Sequence, residues 1–332
     1  MNGSRDGVVQ SAGGFQEYFR KRDRVRAFAS HTDTVHSVSW NCDGRRLASG
    51  SVDKTVCVSS FDNCKLRSEF TCKGHIDQVD QVNWHQTNPD LLASASGDKT
   101  TRVWDVRSRK SVATVNTKGQ NINVGWSPDG SVVAIGDKDD KISFIDTRTW
   151  KLRNSEQFKT ETNEFCWDPS NRFFFVATGG GVVLIYRWPE MTLHLTLQAH
   201  PVQAVCLSIK IDPTGQHFAV GGGDALISIW DLPNLVCVRT IDRLDWPIRS
   251  VSFSHDGRLL AAGSEDHCID ISWTGSAERV WDLRCDGETY TMAWHPKQHI
   301  LAFACDDRVS SAGFRDAAGG TVKLFGLSPD QI

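Results

Sequence analysis

The residue types that carry most enzyme chemistry are present in this sequence, but their spacing does not assemble a catalytic site. His295 and His299 stand four residues apart, as two metal ligands on one helix would, yet Pro296 follows the first and breaks such a helix. We therefore interpret this pair as part of a surface loop. The glycine triplets at 179–181 and 221–223 lack the G-x-G-x-x-G or G-K-[ST] context of phosphate-binding loops and are typical of hairpin turns.

Paired aspartates and cysteines also lack the patterns of a metal centre. The aspartate pairs at 139–140 and 306–307 offer oxygen ligands for a cation, but each stands at a hairpin tip, which favours solvated carboxylates. The ten cysteines never form C-x-x-C, and this indicates small buried hydrophobic residues in a reducing compartment. Several of them lie in apolar, strand-like runs: Cys57, Cys166, Cys206, Cys237 and Cys268. We expect no catalysis, no cofactor, no metal and no small-molecule substrate.

Composition and charge restrict the class of protein further. A hydrophobic fraction of 39% with 12 Trp and 16 Phe is ample for a buried core. The formal net charge of −3 gives no long-range attraction to nucleic acid. No apolar run approaches the roughly 18 residues of a membrane span, and the first ten residues are polar. We expect a soluble intracellular protein without a membrane contact.

One basic segment is a candidate contact with RNA or with an acidic partner. Arg20, Lys21 and Arg22 follow one another, but Tyr18 and Phe19 precede the run instead of alternating with it. Sequence-specific reading of RNA bases needs aromatic side chains among the cations, so at most a weak or indirect RNA contact is expected. The alternative is a solvated lead-in to a strand.

The elements that would position all these residues come from an internal repeat. Each unit has an apolar anchor, a turn such as N-C-D-G or S-P-D-G, an alternating strand and a polar hairpin. Seven anchors recur at intervals of 41 to 44 residues: Trp40, Trp84, Trp126, Trp167, Ile211, Phe253 and Trp294. Seven such units leave no room for a second domain.

The second unit is the fullest copy and resembles a WD repeat. It opens on Gly74 and His75, turns at Asp98 and closes on Trp104 and Asp105. In WD repeats the opening His, a strand Ser, the hairpin Asp and the Trp form a hydrogen-bonded chain. The resemblance implies such a network at His75, Ser94, Asp98 and Trp104. A buried aspartate needs donors of this kind.

Other units keep only part of the network. The fifth has His200, Asp224 and Trp230 but carries Val220 at the Ser position. The fourth has Gly180 where the Asp would stand. Seven copies at one spacing nevertheless predict stacked four-stranded blades, because no single unit could bury its own apolar faces.

The two ends of the chain predict ring closure. Residues 321–325 match the third strand of the seventh unit, which then lacks a fourth, and residues 24–29 form an isolated strand-like segment. Family behaviour implies that this segment completes the last blade and removes a free edge. The expected fold is all-β, a seven-bladed WD40 β-propeller closed by an N-terminal strand. It would span residues 15–327, between a disordered tail at 1–14 and a C-terminal tail at 328–332.

Several segments are similar to one family of propellers, the WD-repeat subunit 3 of the THO complex. They are HSVSW (36–40), GRRLASGS (44–51), VDQ (79–81), GQNIN (119–123), RLDWPIR (243–249), SEDH (264–267), IDI (269–271), LAFACDD (301–307) and GTVKLFG (320–326). The similarity covers roughly residues 18–327. It implies a non-enzymatic nuclear scaffold that docks on the large helical subunits of the THO complex, within the TREX assembly that couples transcription to mRNA export.

Two other functions remain open alongside that resemblance. Trp104 to Arg107 fits the W-D-x-R pattern by which some propellers serve as substrate receptors of cullin ubiquitin ligases. A propeller that binds RNA is the other alternative, with the basic run as its contact.

A candidate partner surface follows from the repeat alignment. Asp80, Asn163 and Arg249 stand at equivalent positions near the start of a unit. Asp245 and Trp246, followed by Pro247, stand where a Gly-His pair is expected. A Trp in a loop stiffened by proline has the properties of an interface hot spot, whereas the alternative is that it folds inward to replace the missing His. The widened seventh hairpin, residues 308–319, would extend from the same side.

Overall fold

The computed structural model of the chain, which describes residues 11–306 and 320–328, contains seven four-stranded antiparallel sheets, one for each repeat. Helix α1 (Ala12–Arg20) and strand β1 (Arg26–Ala29) precede the first repeat. The first four blades comprise β2 (Val35–Trp40), β3 (Arg46–Ser51), β4 (Val56–Asp62) and β5 (Lys65–Cys72); β6 (Val79–Trp84), β7 (Leu91–Ser96), β8 (Thr100–Asp105) and β9 (Lys110–Asn116); β10 (Asn121–Trp126), β11 (Val132–Asp137), β12 (Lys141–Asp146) and β13 (Lys151–Gln157); and β14 (Thr162–Trp167), β15 (Phe173–Thr178), β16 (Val182–Arg187) and β17 (Thr192–Gln198).

The remaining blades comprise β18 (Cys206–Ile211), β19 (His217–Gly222), β20 (Ile227–Asp231) and β21 (Val236–Ile241); β22 (Ile248–Phe253), β23 (Leu259–Ser264), β24 (Cys268–Trp273) and β25 (Arg279–Arg284); and β26 (Thr289–Trp294), β27 (Leu301–Cys305) and β28 (Thr321–Phe325). The first strand of each blade packs against the first strands of its two neighbours, so these seven strands surround the axis. All seven anchors are the last residues of these innermost strands, which confirms the sequence prediction of a seven-bladed propeller.

The ring is closed in the predicted way. Strand β1 pairs antiparallel with β28, from Arg26 opposite Leu324 to Ala29 opposite Thr321, and supplies the fourth strand of the seventh blade. The indole Nε1 of Trp40 donates to the carbonyl of Ala293 in that blade at 3.1 Å. Trp84 Nε1 donates to the carbonyl of Ser39 in the first blade at 3.0 Å. The contact that closes the ring is therefore the same as the contact between the first and second blades.

Helix α1 was not predicted, and it corrects the N-terminal boundary. The tail was expected to reach residue 14, but the helix begins at Ala12, with Ser11 Oγ accepting from Gly14 N at its cap. Phe15 and Phe19, four residues apart on one face, are buried against the sixth and seventh blades. Burial of two phenylalanines outweighs the poor helix propensity of Gly13 and Gly14. The rest of the predicted tail, residues 1–10, lies outside the described residues, as do 307–319 and 329–332.

The structure also bears on the predicted cysteine environments and on the prediction that no segment spans a membrane. None of the ten cysteines, all of which lie in the described residues, forms a disulfide. Cys57 and Cys206 are buried as expected, but Cys237 on the outer strand β21 is exposed, so that expectation is wrong for it. Strand β21 is the outermost strand of its blade, where most side chains, that of Cys237 included, face solvent. In the described part of the chain, no helix is long and apolar enough to cross a membrane.

Candidate partner surface

The loops on one face of the ring are fixed by buried hydrogen-bond networks. We call the face on which the innermost strands begin the upper face. In the second blade, Trp104 Nε1 donates to Ser94 Oγ at 2.9 Å, and Ser94 Oγ lies 2.8 Å from His75 Nε2. His75 Nδ1 in turn lies 2.9 Å from Asp98 Oδ2. The four residues that the WD resemblance implied are therefore brought together as one chain.

The direction of this chain follows from its donors. An indole N–H can only donate, so the Ser94 hydroxyl accepts from it and is free to donate to His75 Nε2. His75 is then neutral with its proton on Nδ1, which donates to Asp98. Burial lowers the pKa of His75 despite the opposing effect of the Asp98 carboxylate. Asp98 also accepts from the amide of Ile76, which ties the upper loop to the hairpin of the same blade.

The fifth blade rebuilds the network with a serine that the alignment did not reveal. His200 Nδ1 lies 3.1 Å from Asp224 Oδ2, as the resemblance implied. Val220 offers no hydroxyl, and only its carbonyl meets His200 Nε2. Ser228, on the next strand, accepts from Trp230 Nε1 at 2.8 Å and lies 3.3 Å from His200 Nε2. Period-two alternation along β20 places the Ser228 and Trp230 side chains on the same face.

In the sixth blade the structure corrects the alignment of the upper loop. Leu244, which is buried, stands four residues before the first strand residue Ile248, as His75 stands before Val79. Trp246 therefore does not fill the place of the missing histidine, and its side chain is 56% exposed. Asp266 accepts from the amides of Asp245 and Trp246, so the loop that presents the indole is held by the hairpin.

A ring of seven side chains surrounds the upper mouth of the central channel. Each is the second residue of an innermost strand, and all seven line one cavity of about 340 Å³: His36, Asp80, Ile122, Asn163, Leu207, Arg249 and Tyr290. The predicted surface residues Asp80, Asn163 and Arg249 are thus three members of this ring. The repeat spacing could have identified the other four, because they occupy the same position in their units.

The three predicted ring residues make different contacts. Asp80 Oδ1 accepts from Gln78 Nε2 at 2.8 Å, while its Oδ2 is buried and has no hydrogen-bond partner among the described residues. Asn163 Nδ2 donates to the carbonyl of Cys206 in the next blade. Arg249 pairs with Glu265 and stays partly exposed. Asp80 and Arg249 give the mouth separated negative and positive groups.

Exposed apolar side chains stand around this mouth. Ile76, Val202 and Trp246 are 78%, 68% and 56% exposed. All three lie in the loops that lead into innermost strands, in the second, fifth and sixth blades. Apolar groups on rigid loops of one face are typical of a protein-binding surface.

The basic run follows the C-terminus of α1. Arg20 ends the helix, where a cation interacts favourably with the helix dipole. Lys21 pairs with Glu17 at 3.2 Å, and the Arg22 guanidinium lies 4.0 Å from the centre of the Tyr18 ring. These contacts give two of the three cations a local role, and an RNA or partner contact for the run stays a prediction.

The histidine pair is not the surface loop that we expected. His295 is buried; its Nε2–H donates to the carbonyl of Gly44 at 2.9 Å and its Nδ1 accepts from the Lys297 amide. His299 Nε2 lies 3.1 Å from Asp256 Oδ2 in the sixth blade. The pair thus links neighbouring blades on the lower face, opposite the upper one.

Three side chains near His299 could ligate a cation, but two of them, Asp256 and His299, are already hydrogen-bonded to each other. Atoms of His255, Asp256 and His299 that could ligate a cation lie within 4.8 Å of one another. Burial alone would raise the pKa of Asp256, but hydrogen bonds from His299 and Ser254 lower it well below its usual value. We interpret the group as an inter-blade link.

The W-D-x-R segment has an ordinary place in its blade. Trp104 belongs to the buried network, and Arg107 lies on the lower side with its Nε 3.3 Å from Asp90 Oδ2. This geometry adds no feature that favours a ubiquitin-ligase receptor.

The chain is similar to several known WD-repeat proteins. The THOC3 beta-propeller domain family matches residues 31–304. THO complex subunit 3 of Arabidopsis thaliana is 40% identical over 304 residues, which cover 91% of this chain and 95% of that protein. WD repeat-containing protein AAC3 of Dictyostelium discoideum is 34% identical, with 84% of this chain and 63% of that protein covered. Protein transport protein sec13 of Emericella nidulans is 25% identical over 86% of this chain and 92% of that protein. The chain therefore belongs to the THOC3 beta-propeller family of WD-repeat proteins.

Proposed function

We propose that this chain is a non-enzymatic scaffold subunit of a nuclear THO complex that binds the large helical subunits through its upper face. Its contribution to coupling transcription with mRNA export would be made through these protein contacts. The similarity to THO complex subunit 3 supports the assignment to this complex. The observation that carries the binding mode is Trp246, which is exposed on a loop held by Asp266.

Binding costs less free energy when the loop that enters the interface is already ordered. A partner that covers Trp246 gains a large apolar area, while the loop loses little freedom because two of its amides are already bonded to Asp266. Arg249 lies in the channel mouth nearby in sequence and offers a cation for orientation. Rigid anchors of this kind suit a scaffold.

The lack of chemistry is part of the proposal. Burial raises the pKa of the thiols of Cys72, Cys166 and Cys206 to about 12, so these cysteines stay protonated and unreactive near neutral pH. His75 and His295 have lowered pKa values because they are buried, and both are fully hydrogen-bonded within the fold. We assign them structural roles.

Affinity purification tests this proposal. The tagged chain, Trp246→Ala and Arg249→Glu would be purified from nuclear extract and the bound proteins quantified by mass spectrometry. We expect THO subunits with the wild type and a loss of about tenfold or more with Trp246→Ala at an unchanged melting temperature. Leu152→Ala is the matched control, because Leu152 is 59% exposed but lies on the outer strand β13.

The same experiment separates the alternatives. A cullin adaptor in place of THO subunits would indicate a ubiquitin-ligase receptor. Ribonucleoproteins that disappear after nuclease treatment and in a variant with Arg20, Lys21 and Arg22 changed to Glu would indicate an RNA-binding propeller. Retention of all THO subunits by both upper-face variants would move the interface elsewhere.

A further inference from the structure

A crevice between the fourth and fifth blades has an apolar lining and is open to solvent. Its volume is about 380 Å³. Turn residues of both blades on the lower side border it, and its walls are mainly apolar: Phe173, Phe175, Ile185, Leu232 and Leu235, with His194 at the edge. This crevice is separate from the upper face.

Strand register shows that helix α1 fills the corresponding crevice between the sixth and seventh blades. Phe175 pairs with Cys166 and Ile185 in the fourth blade, as Ala261 pairs with Ser252 and Ile271 in the sixth. Ala261 and Ile271 belong to the core cluster that contains Phe15 and Phe19 of the helix. Phe175 and Ile185 are themselves buried between their blades, so it is the space beside them that α1 occupies in one crevice and that is open in the other.

Contacts of the two helix phenylalanines show how such a crevice holds a helix. The ring centre of Phe15 lies 5.7 Å from that of Trp273. The ring centre of Phe19 lies 6.3 Å from that of Trp281 and 5.1 Å from that of Phe325. By register Leu195 has the place of Trp281, and it is exposed. The anchors are four residues apart, the spacing of one helix face.

The crevice is open because a turn residue is too small to fill it. In the fourth blade the residue after the third strand is Trp188, whose ring packs 5.0 Å from Phe144 and closes the crevice between the third and fourth blades. In the fifth blade that place is occupied by Leu232. Leu195, on the outer strand of the fourth blade, pairs with the crevice residue Ile185 and is 37% exposed, so apolar surface continues toward the opening.

The charge at the opening is positive. Arg172 lines the crevice and is exposed, and Arg187 Nη2 lies 3.4 Å from Nδ1 of His194. The nearby carboxylate of Asp168 already accepts from the amides of Arg172 and Phe173. A ligand with acidic groups beside its apolar anchors fits this edge.

We propose that the crevice between the fourth and fifth blades binds an amphipathic helix of a partner protein, one that carries two aromatic side chains four residues apart with acidic residues beside them. The proposal goes beyond the function assigned above, because it adds a second binding surface on a different face. It belongs to the helix-in-groove mode of peptide recognition, and the chain itself supplies the precedent in α1.

A labelled peptide tests the proposal on the full chain. The probe has the sequence of residues 11–22 with Gly13 and Gly14 replaced by Ala, to raise helix propensity, and Arg20 and Lys21 replaced by Glu. We expect saturable binding by fluorescence anisotropy. A second peptide, in which Phe15 and Phe19 are also replaced by Ala, should bind about tenfold more weakly or not at all.

Two protein variants locate the binding site. Leu195→Glu should weaken binding by about tenfold or more, since Leu195 pairs with the crevice residue Ile185 and the change places an acid beside the apolar wall. Leu193→Glu is the matched control on the same strand: Leu193 pairs with Tyr186, whose ring packs against Phe158 of the third blade, so it lies on the opposite face and this variant should bind like the wild type. Both positions are exposed, so equal melting temperatures would verify that the fold is intact.

Other outcomes overturn the proposal. One is the absence of saturable binding, and another is equal affinity of Leu195→Glu and the wild type. A third is a gain in affinity when Phe15 and Phe19 of the protein are changed to Ala, because the peptide would then occupy the crevice of α1. Trp246→Ala should leave peptide binding unchanged, so failure here is distinguishable from failure of the upper-face proposal.

Discussion

Trp230 Nε1 donates a hydrogen bond of 2.8 Å to Ser228 Oγ, two residues earlier on the same strand. In the second blade the acceptor for Trp104 is Ser94 on the neighbouring strand. The hydroxyl has changed strands between the two blades, yet in both it lies between an indole N–H and a histidine Nε2. What the fold requires is an acceptor at this point in space, whichever strand supplies it.

We predict that Ser228→Ala destabilises the protein by about 1–3 kcal/mol, because the buried indole of Trp230 loses its acceptor. Denaturant unfolding followed by tryptophan fluorescence measures the loss. Val220→Ser in the Ser228→Ala background should recover part of it, since the new hydroxyl would stand where Ser94 stands in the second blade. Equal stability of Ser228→Ala and wild type would show that the indole finds another partner.

A second prediction compares the hairpin positions of two blades. Asp98→Ala leaves the Nδ1–H of His75 and the amide of Ile76 without their acceptor, at a cost of about 1–3 kcal/mol. Gly180→Ala, at the corresponding place in the fourth blade, adds a Cβ with nothing within 4 Å and should be neutral.

Gly181→Ala provides the contrasting case next to that control. Its φ is +69° and an added Cβ would clash with the backbone carbonyls of Pro201 and His200, so the melting temperature should fall. If Asp98→Ala melts like the wild type, the network is not a source of stability.

The sequence was informative where a feature repeats and silent where it crosses between repeats. The anchors Trp40 to Trp294 recur at one spacing, so the innermost strands and the ring could be predicted. Helix α1 could not be predicted. Gly13 and Gly14 have poor helix propensity at its start, and the residues on which it packs lie about 250 positions or more along the chain. Leu244 shows a third case. It occupies the position of the repeat histidine, but because leucine is apolar, the sequence alignment could not identify it as the equivalent residue.

Acid should destabilise the fold in a defined pH range. Burial would raise the pKa of Asp98, but hydrogen bonds from Thr100 and His75 lower it from 3.8 to about 2. The folded state therefore favours the ionised form of Asp98 more strongly than the unfolded chain does. Its contribution to the unfolding free energy is complete above pH 4 and is lost as the pH falls from about 4 to about 2.

Protonation of His75 should destabilise the fold in a second pH range, which lies higher. Burial lowers the pKa of His75 below 6.5, so the unfolded chain binds a proton that the folded one excludes, and stability falls as the pH decreases from about 6.5. Urea unfolding between pH 8 and pH 2 measures both ranges. Asp98→Asn keeps an acceptor but cannot titrate, and its stability should fall less steeply below pH 4. The same slope in both proteins would contradict the assignment.

Truncation tests the closing strand. Removal of residues 1–30 takes away β1, which exposes the edge of β28 and the apolar side chains beneath it. We expect aggregation on size-exclusion chromatography, because an unpaired edge strand is a template for intermolecular pairing. A chain that begins at residue 11 is the reference. A monomeric truncated protein with an unchanged melting curve would mean that β1 does not close the ring.

The last prediction concerns the helix that precedes the closing strand. Phe15 and Phe19 are 1% and 0% exposed, and their rings contact Trp273, Trp281 and Phe325. Truncation of a buried phenylalanine to alanine removes apolar contact and leaves a cavity, so each variant should lose about 3–5 kcal/mol if α1 stays docked. A smaller loss, close to that of deleting residues 11–20, would mean that the helix detaches as a unit. Glu17→Ala is the control, because it removes only an exposed ion pair with Lys21 and should cost less than about 1 kcal/mol. If Phe19→Ala were as stable as Glu17→Ala, the helix would not be part of the propeller's core.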